Sequence, residues 1–213
     1  MPQALYQHSQ FIKAATRLEQ CPDDTGNEVA VVGRSNAGKS SVVNTICGRR
    51  ALARVSRSPG RTRELLFFEL QPARRLVDLP GYGFAKAPAA QTQQWPAMIE
   101  SYFAGRASLR GVLIVMDCRH PLQSLDEYML NFCAELGLPA HVLLNKADKL
   151  AHGKAKQCLM DIRSRLPADV SVDLLSCLKQ TGQDALRDRL ERWLTNPNEL
   201  ADARADAGPP ASQ

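Results

Sequence analysis

Apolar residues run almost unbroken from Val29 to Val32, from Gly111 to Met116 and from Ala140 to Leu144, and each run stops at a glycine or a polar residue. Short apolar runs rich in β-branched residues and closed by such punctuation predict buried strands. Leu65 to Leu70 and Arg74 to Val77 predict two more around a Gln-Pro-Ala turn, and Ser171 to Leu175 a sixth. Between the strands the spacing turns helical. Val42, Val43 and Ile46 share one side of a helix, and Trp95, Met98, Ile99, Tyr102 and Phe103 are the apolar positions of another from Gln93 to Arg106. Ser124 to Leu136 predicts a third helix, with Ser124 as its cap and Asp126 and Glu127 in the first turns, where the dipole favours acids. Ala151 to Leu166 and Gly182 to Leu194 predict two more, the last turning Trp193 inward. Strands alternating with helices predict an α/β domain with a mostly parallel six-stranded sheet flanked by helices on both faces. A ligand of such a sheet sits outside the carboxyl ends of its strands.

Residues 1–27 form a lead-in of mixed polarity in which Phe11 and Ile12 have no assigned role, and residues 28–194 carry the periodic pattern. From 195 to 213 periodicity gives way to Pro, Gly and Ala, which predicts a disordered tail. At 213 residues and 44% hydrophobic, the chain suits one soluble domain. No apolar run approaches the ~18 residues of a membrane span, and the N-terminus lacks a signal peptide's apolar core, so a cytoplasmic protein is expected. Cysteines 21, 47, 118, 133, 158 and 177 include no Cys-x-x-Cys pair, so reduced and mostly buried thiols are expected rather than a zinc site. The net charge of +5 is unevenly placed. Between Val29 and Arg63 there is no acid, only Lys39 and arginines 34, 49, 50, 54, 57, 61 and 63. Such a stretch suits phosphate, on a nucleotide or an RNA backbone, or is a solvated basic face.

The chemistry lies at the strand ends. Gly33-x-x-x-x-Gly38-Lys39-Ser40 between a strand and a helix has the spacing of a phosphate-binding loop. Its N–H groups converge on phosphate oxygens at a helix N-terminus. Lys39 would reach the β- and γ-phosphates, and the Ser40 hydroxyl would ligate Mg²⁺. In the turn-rich loop Ser58 to Arg63, Thr62 suits a switch segment that binds Mg²⁺ and the γ-phosphate. Asp78 ends a strand and can hold Mg²⁺, while Gly81 can offer its N–H to the γ-phosphate. The loop continuing through Tyr82 to Ala85 reads as a glycine-hinged second switch. Asn145-Lys146-Ala147-Asp148 suits base selection. Asp148 can accept two hydrogen bonds from guanine, Asn145 can offer its amide, and Lys146 its aliphatic stem, to the ring and ribose. The loop Ser176 to Lys179 could present N–H groups to guanine O6.

Taken in order, GRSNAGKS, PGRTR, DLPG, NKAD and SCL resemble the five nucleotide-binding motifs of a translation-factor-type GTPase. GRSNAGKSS, SPGRTR, VDLPGYGFAK, MDCRHPL and LLNKADKL resemble the hallmarks of one family, EngB (also YihA or YsxC), within the TrmE-Era-EngA-EngB-Septin-like class. The likeness runs from about Phe11 to Leu194. It implies a P-loop GTPase (Ras-like) fold that binds GTP, GDP and Mg²⁺ and hydrolyses GTP weakly. It also implies a role in assembly of the large ribosomal subunit, with a requirement for normal cell division and septation. The implied nucleotide contacts are Gly33, Arg34, Ser35, Asn36, Ala37, Gly38, Lys39, Ser40 and Ser41, then Gly60, Arg61, Thr62, Arg63 and Glu64. They continue with Asp78, Leu79, Pro80 and Gly81, with Asn145 to Asp148, and with Leu175, Ser176 and Cys177. Metal ligands would be Ser40, Thr62 and Asp78; Lys39, Thr62, Gly81 and Asn36 would act in catalysis. Asn36 resembles the Asn with which some related GTPases coordinate K⁺. Tyr82 stands where Ras-like enzymes carry the Gln that orients the attacking water, which implies slow hydrolysis or dependence on another element. The expected partner is the large ribosomal subunit or its rRNA, without DNA and as a monomer. The alternative is a GTP-binding scaffold or signalling protein of the division machinery that contacts protein. A P-loop ATPase is disfavoured by Asn145-Lys146-x-Asp148.

Overall fold

The computed structural model describes residues 6, 8–49, 52, 64–82 and 98–195. Seven strands form one sheet: β1 (Gln10–Ala15), β2 (Asn27–Gly33), β3 (Leu65–Gln71), β4 (Arg74–Asp78), β5 (Leu109–Asp117), β6 (Ala140–Asn145) and β7 (Ser171–Leu174). Their order across the sheet is β1-β3-β4-β2-β5-β6-β7. β1, β3 and β4 pair antiparallel, and every pairing from β4 through β2 to β7 is parallel. The helices are α1 (Lys39–Ile46), α2 (98–105), α3 (Ser124–Glu135), α4 (His152–Arg165) and α5 (Gln183–Thr195).

β2 shows why its sequence is a continuous apolar run. Ala30 and Val32 face a core with Tyr102, Phe103, Met129 and Ile162 from α2, α3 and α4. Val29 and Val31 face the opposite core with Val42, Val43, Ile46, Leu186 and Trp193 from α1 and α5. A strand covered on both faces has no polar side to alternate with.

The fold class matches the expectation, but the sheet has seven strands rather than six. The additional strand, β1, lies inside the lead-in. Its residues are largely exposed, so it lacks the alternation that marks a half-buried strand. It is held instead by backbone pairing to β3, with a bulge between Phe11 and Lys13. Phe11 sits edge-on to Phe68 with ring centroids 5.8 Å apart. Three further differences are local. Ser124 is the first helical residue of α3, not its cap; Gln123 caps the helix, and Asp126 returns a bond to the Gln123 N–H to close a capping box. Thr195 still belongs to α5. Of the helix expected from Gln93, residues 98–105 are helical; 93–97 and 196–213 lie outside the described residues. Four of the six free cysteines are buried and two half-buried. Trp193 is buried, as expected.

Candidate nucleotide site

The parallel strands end together. Gly33 closes β2, Asp78 closes β4, Asp117 closes β5 and Asn145 closes β6. Register pairs Asp78 with Val31, and Asp117 with Asn145, so these ends share one edge of the sheet.

After β2 the chain turns back on itself. Ser35 N–H donates to Tyr82 O at 2.9 Å, and Tyr82 N–H to Gly33 O at 3.3 Å, so the loop after β4 is stitched to the loop after β2. Gly38, the residue before α1, has φ 100°, a left-handed angle that favours glycine. A Cβ there would lie 2.3 Å from Asn145 Nδ2. As the N-cap of α1, Gly38 has no side chain to cap it, and the N–H groups of a first helical turn have no partner within the helix. Those groups and the helix dipole make this end attractive to an anion.

Lys39 opens α1 with a mostly buried ammonium. Burial pushes its pKa down and Asp78 opposes the shift. Asp78 is 4% exposed. Burial raises its carboxyl to about 6, against the pull of Lys39 and of a Ser40 hydrogen bond. Ser40 Oγ donates to Asp78 Oδ2 at 3.5 Å, while Asp78 Oδ1 is buried with no partner among the described residues. An orphaned carboxylate oxygen beside a hydroxyl is a hard-oxygen donor set of the kind Mg²⁺ takes when phosphates complete its shell. A Cβ on Gly81 would come within 2.9 Å of Lys39 Nζ, so the backbone at Gly81 runs directly past that ammonium. Leu79 and Pro80 are buried, Ser41 is half-buried, and Glu64 is exposed. Gly60, Arg61, Thr62 and Arg63 lie outside the described residues, as do 83–85 of the expected second switch.

The second half of the site rises from β6 and β7. Asp148 Oδ1 accepts from Ser176 Oγ at 2.7 Å, and Ser176 Oγ accepts from Lys179 N–H at 3.0 Å. The Ser176 bond is the main cause that holds the Asp148 carboxyl below its ordinary range, so it stays an acceptor. Ala147 N–H donates to Leu175 O at 3.1 Å, joining the two loops. Asn145 is tied to the phosphate loop. Its amide donates to Ala37 O at 3.0 Å, and its oxygen lies 3.5 Å from Cys177 Sγ. It is 2% exposed and braces the phosphate loop. Lys146 Nζ donates to Asn36 O at 2.5 Å, a second brace.

Residues 28–146 match the family described as 50S ribosome-binding GTPase. The chain is 46% identical to a curated relative from Xanthomonas axonopodis pv. citri, "Probable GTP-binding protein EngB", over 98% of this chain and 95% of that one. The chain belongs to the EngB family of GTP-binding proteins. It is thus a P-loop GTPase. A solved structure of a probable GTP-binding protein EngB superposes with a TM-score of 0.64 at 21% identity, covering 78% of this chain and 98% of that one. Era in complex with MgGDPNP and nucleotides 1506–1542 of 16S ribosomal RNA gives 0.65 at 22% identity, over 89% and 60%. At such identities these two likenesses speak to the fold.

Two features of this EngB-family site were not read from the sequence. Sequence places Tyr82 in a hinged loop and shows the amide it lacks, but not what its phenol meets. Its ring is 3% exposed, and its hydroxyl donates to Asp126 Oδ1 of α3 at 2.7 Å. Asp117, in the MDCRHPL motif, has no role by sequence alone, and its place at a strand end, paired with Asn145, is the signal that could have found it. Among the described residues no helix is long and apolar enough to cross a membrane.

Proposed function

We propose that the protein is a cytoplasmic GTP-driven switch in assembly of the large ribosomal subunit, with a consequent requirement in cell division. The observation that carries the nucleotide reading is the buried Asp78 carboxylate beside Lys39, one oxygen toward Ser40 and the other without a partner among the described residues. In this reading the N-terminal turn of α1 receives the phosphates, and Lys39 lies against the β- and γ-phosphates. Gly81 offers its N–H to the γ-phosphate. Asp148 accepts from guanine, and the stem of Lys146 lies along the ring. Ser40, Thr62 and Asp78 would hold Mg²⁺, whose charge offsets that of the β- and γ-phosphates, and Asn36 would hold K⁺.

In this reading hydrolysis by the protein alone is slow, which the engagement of Tyr82 supports. The Tyr82 hydroxyl is engaged inside the core by Asp126 and is not available to orient water. An accelerating element must therefore come from elsewhere. Loss of the γ-phosphate would release the segments around Thr62 and Gly81, changing the surface offered to a partner. The family description, 50S ribosome-binding GTPase, supports the large subunit as that partner. The arginines between Val29 and Arg63 supply a charge suited to rRNA.

Co-sedimentation with purified large subunits tests this, comparing a non-hydrolysable GTP analogue, GDP and no nucleotide at two salt concentrations. Binding with the analogue, lost with GDP and weakened by salt, is expected. Absence of binding in every nucleotide state would refute the ribosomal reading and favour a protein partner in the division machinery.

A further inference from the structure

Asp117 belongs to none of the five nucleotide-binding segments, yet it organises one of them. Its Oδ2 accepts from Lys146 Nζ at 2.9 Å. Arg119 takes both oxygens in a fork, Nε to Oδ1 at 2.9 Å and Nη2 to Oδ2 at 2.6 Å. The Arg119 N–H adds a third bond to Oδ1 at 3.1 Å. The same Lys146 ammonium donates to Asn36 O in the phosphate loop.

A lysine on a surface loop ordinarily samples many rotamers, and holding it in one costs conformational entropy. Here both ends of the side chain are set. Lys146 has φ 62° and ψ 32°, a left-handed backbone that fixes where the chain departs. Its ammonium is held between a carboxylate and a carbonyl. The methylene stem is therefore stretched along the line from β6 to the phosphate loop. Two-point Arg–carboxylate pairing is directional, unlike most surface ion pairs, and the Asp117 side chain is only 17% exposed. Burial works against its ionisation, but hydrogen bonds from Arg119 and Lys146 hold the carboxyl well below the usual carboxylate range.

We propose that Asp117, locked by the fork of Arg119, is a positioning residue that holds the Lys146 ammonium against the phosphate loop, so that the lysine stem is set in place before a guanine nucleotide arrives. The inference rests on Lys146 facing the base, as proposed above. Ordering the lysine in advance removes part of the entropy loss of binding. It also ties the base-side loop to the phosphate-side loop.

The test is GDP binding by calorimetry, with dissociation of a fluorescent GDP, for Asp117→Asn, Lys146→Met and the double variant, each checked for folding by thermal melting. Asn keeps the shape of Asp117 but cannot accept from two cations. Asp117→Asn is expected to weaken GDP binding about tenfold, mainly through faster dissociation. In the Lys146→Met background the same change should alter binding less than about twofold, because the two act through one contact. Arg119→Ala removes a side chain that is 44% exposed and keeps the question testable if Asp117→Asn does not fold. It should weaken binding about threefold, and only when Lys146 is present. The positioning role is overturned, with Lys146 still in the site, if Lys146→Met weakens binding while Asp117→Asn stays within twofold of the wild type, or if their effects multiply. If Lys146→Met itself binds GDP like the wild type, both the inference and the reading beneath it fall.

Discussion

Replacing Glu28 with Gln should unfold this protein about 6–12 °C sooner and leave nucleotide binding alone. Glu28 is fully buried at the start of β2. Its Oε1 accepts from Arg75 Nε at 2.7 Å and Arg106 Nη2 at 2.8 Å. Its Oε2 accepts from Tyr102 Oη at 2.9 Å and Arg106 Nε at 3.0 Å. Four donors thus converge on one carboxylate. If Oε1 becomes the amide nitrogen of Gln, both guanidinium contacts there turn into donor facing donor; if Oε2 does, the Arg106 Nε contact does, while the Tyr102 hydroxyl can turn to accept. Either way the two guanidiniums lose their buried counter-charge, and removing one member of a buried ion pair costs about 3–5 kcal/mol. Arg106 keeps Asp24 at 3.6 Å, which argues for the lower end. For a domain of this size each kcal/mol moves the melting temperature by about 2–4 °C, so about 3 kcal/mol gives the stated fall. The assay is thermal unfolding followed by circular dichroism at low and high salt, with GDP affinity measured in parallel. Salt should matter little, because the cluster is buried. The nucleotide end of β2 is Gly33, at the other end of the strand. A melting temperature within about 2 °C of the wild type would refute the claim that this carboxylate neutralises two buried guanidiniums.

Asp148→Asn should let xanthine nucleotides compete with guanine nucleotides in a displacement assay, because the amide presents a donor where the carboxylate accepted; unchanged discrimination would remove Asp148 from base recognition. Tyr82→Phe should cost about 1–3 kcal/mol in urea unfolding, since Asp126 loses the phenol that helps to stabilise its buried carboxylate. Its GTP turnover should stay within about twofold of the wild type, as expected if the hydroxyl never meets the nucleotide. Acid should destabilise the fold through His141. Burial, with Arg189 and Arg192 nearby, lowers this ring from 6.5 to about 3. The unfolded chain therefore binds the proton more readily, and stability falls as pH drops from about 6.5 toward 3, by at most about 1.4 kcal/mol per pH unit. Asp173 lies 3.6 Å from Nε2 and is itself raised by burial. His141→Gln should flatten that limb of the pH–stability curve, and an unchanged limb would assign it to other groups.

What could be read in the chain beforehand followed from how local the signal was. The run Val29 to Val32, the glycine spacing after it and the strand ends at Asp78 and Asn145 are contiguous patterns, so they were legible. β1 was not, because exposure on both faces removes the period of two. The Glu28 cluster was invisible for a different reason: its partners lie 47 and 78 residues away, and a glutamate in a run of valines gives no hint that two arginines will meet it. Asn145 shows a third limit. Its position in the site was legible, but the direction of its amide toward Ala37 depends on how closely Gly38 packs against β6. The cap of α3 was misplaced by one residue because a Gln can cap when an Asp three positions later answers it.

The strand from which the phosphate loop hangs precedes both of its neighbours in the chain. Val29 pairs with Leu76 on one side and with Gly111 on the other. As the chain is synthesised, β2 therefore emerges with two open edges, and the second stays open until β5 exists. Pairings so remote in sequence form slowly, because a long loop must close first. The base side is later still, since Asp148 takes its shape from Ser176. A growing chain can thus contain the whole phosphate motif and have no place to put a nucleotide. On the proposed reading, guanine nucleotide finds its base-side contacts only after Ser176 has been made.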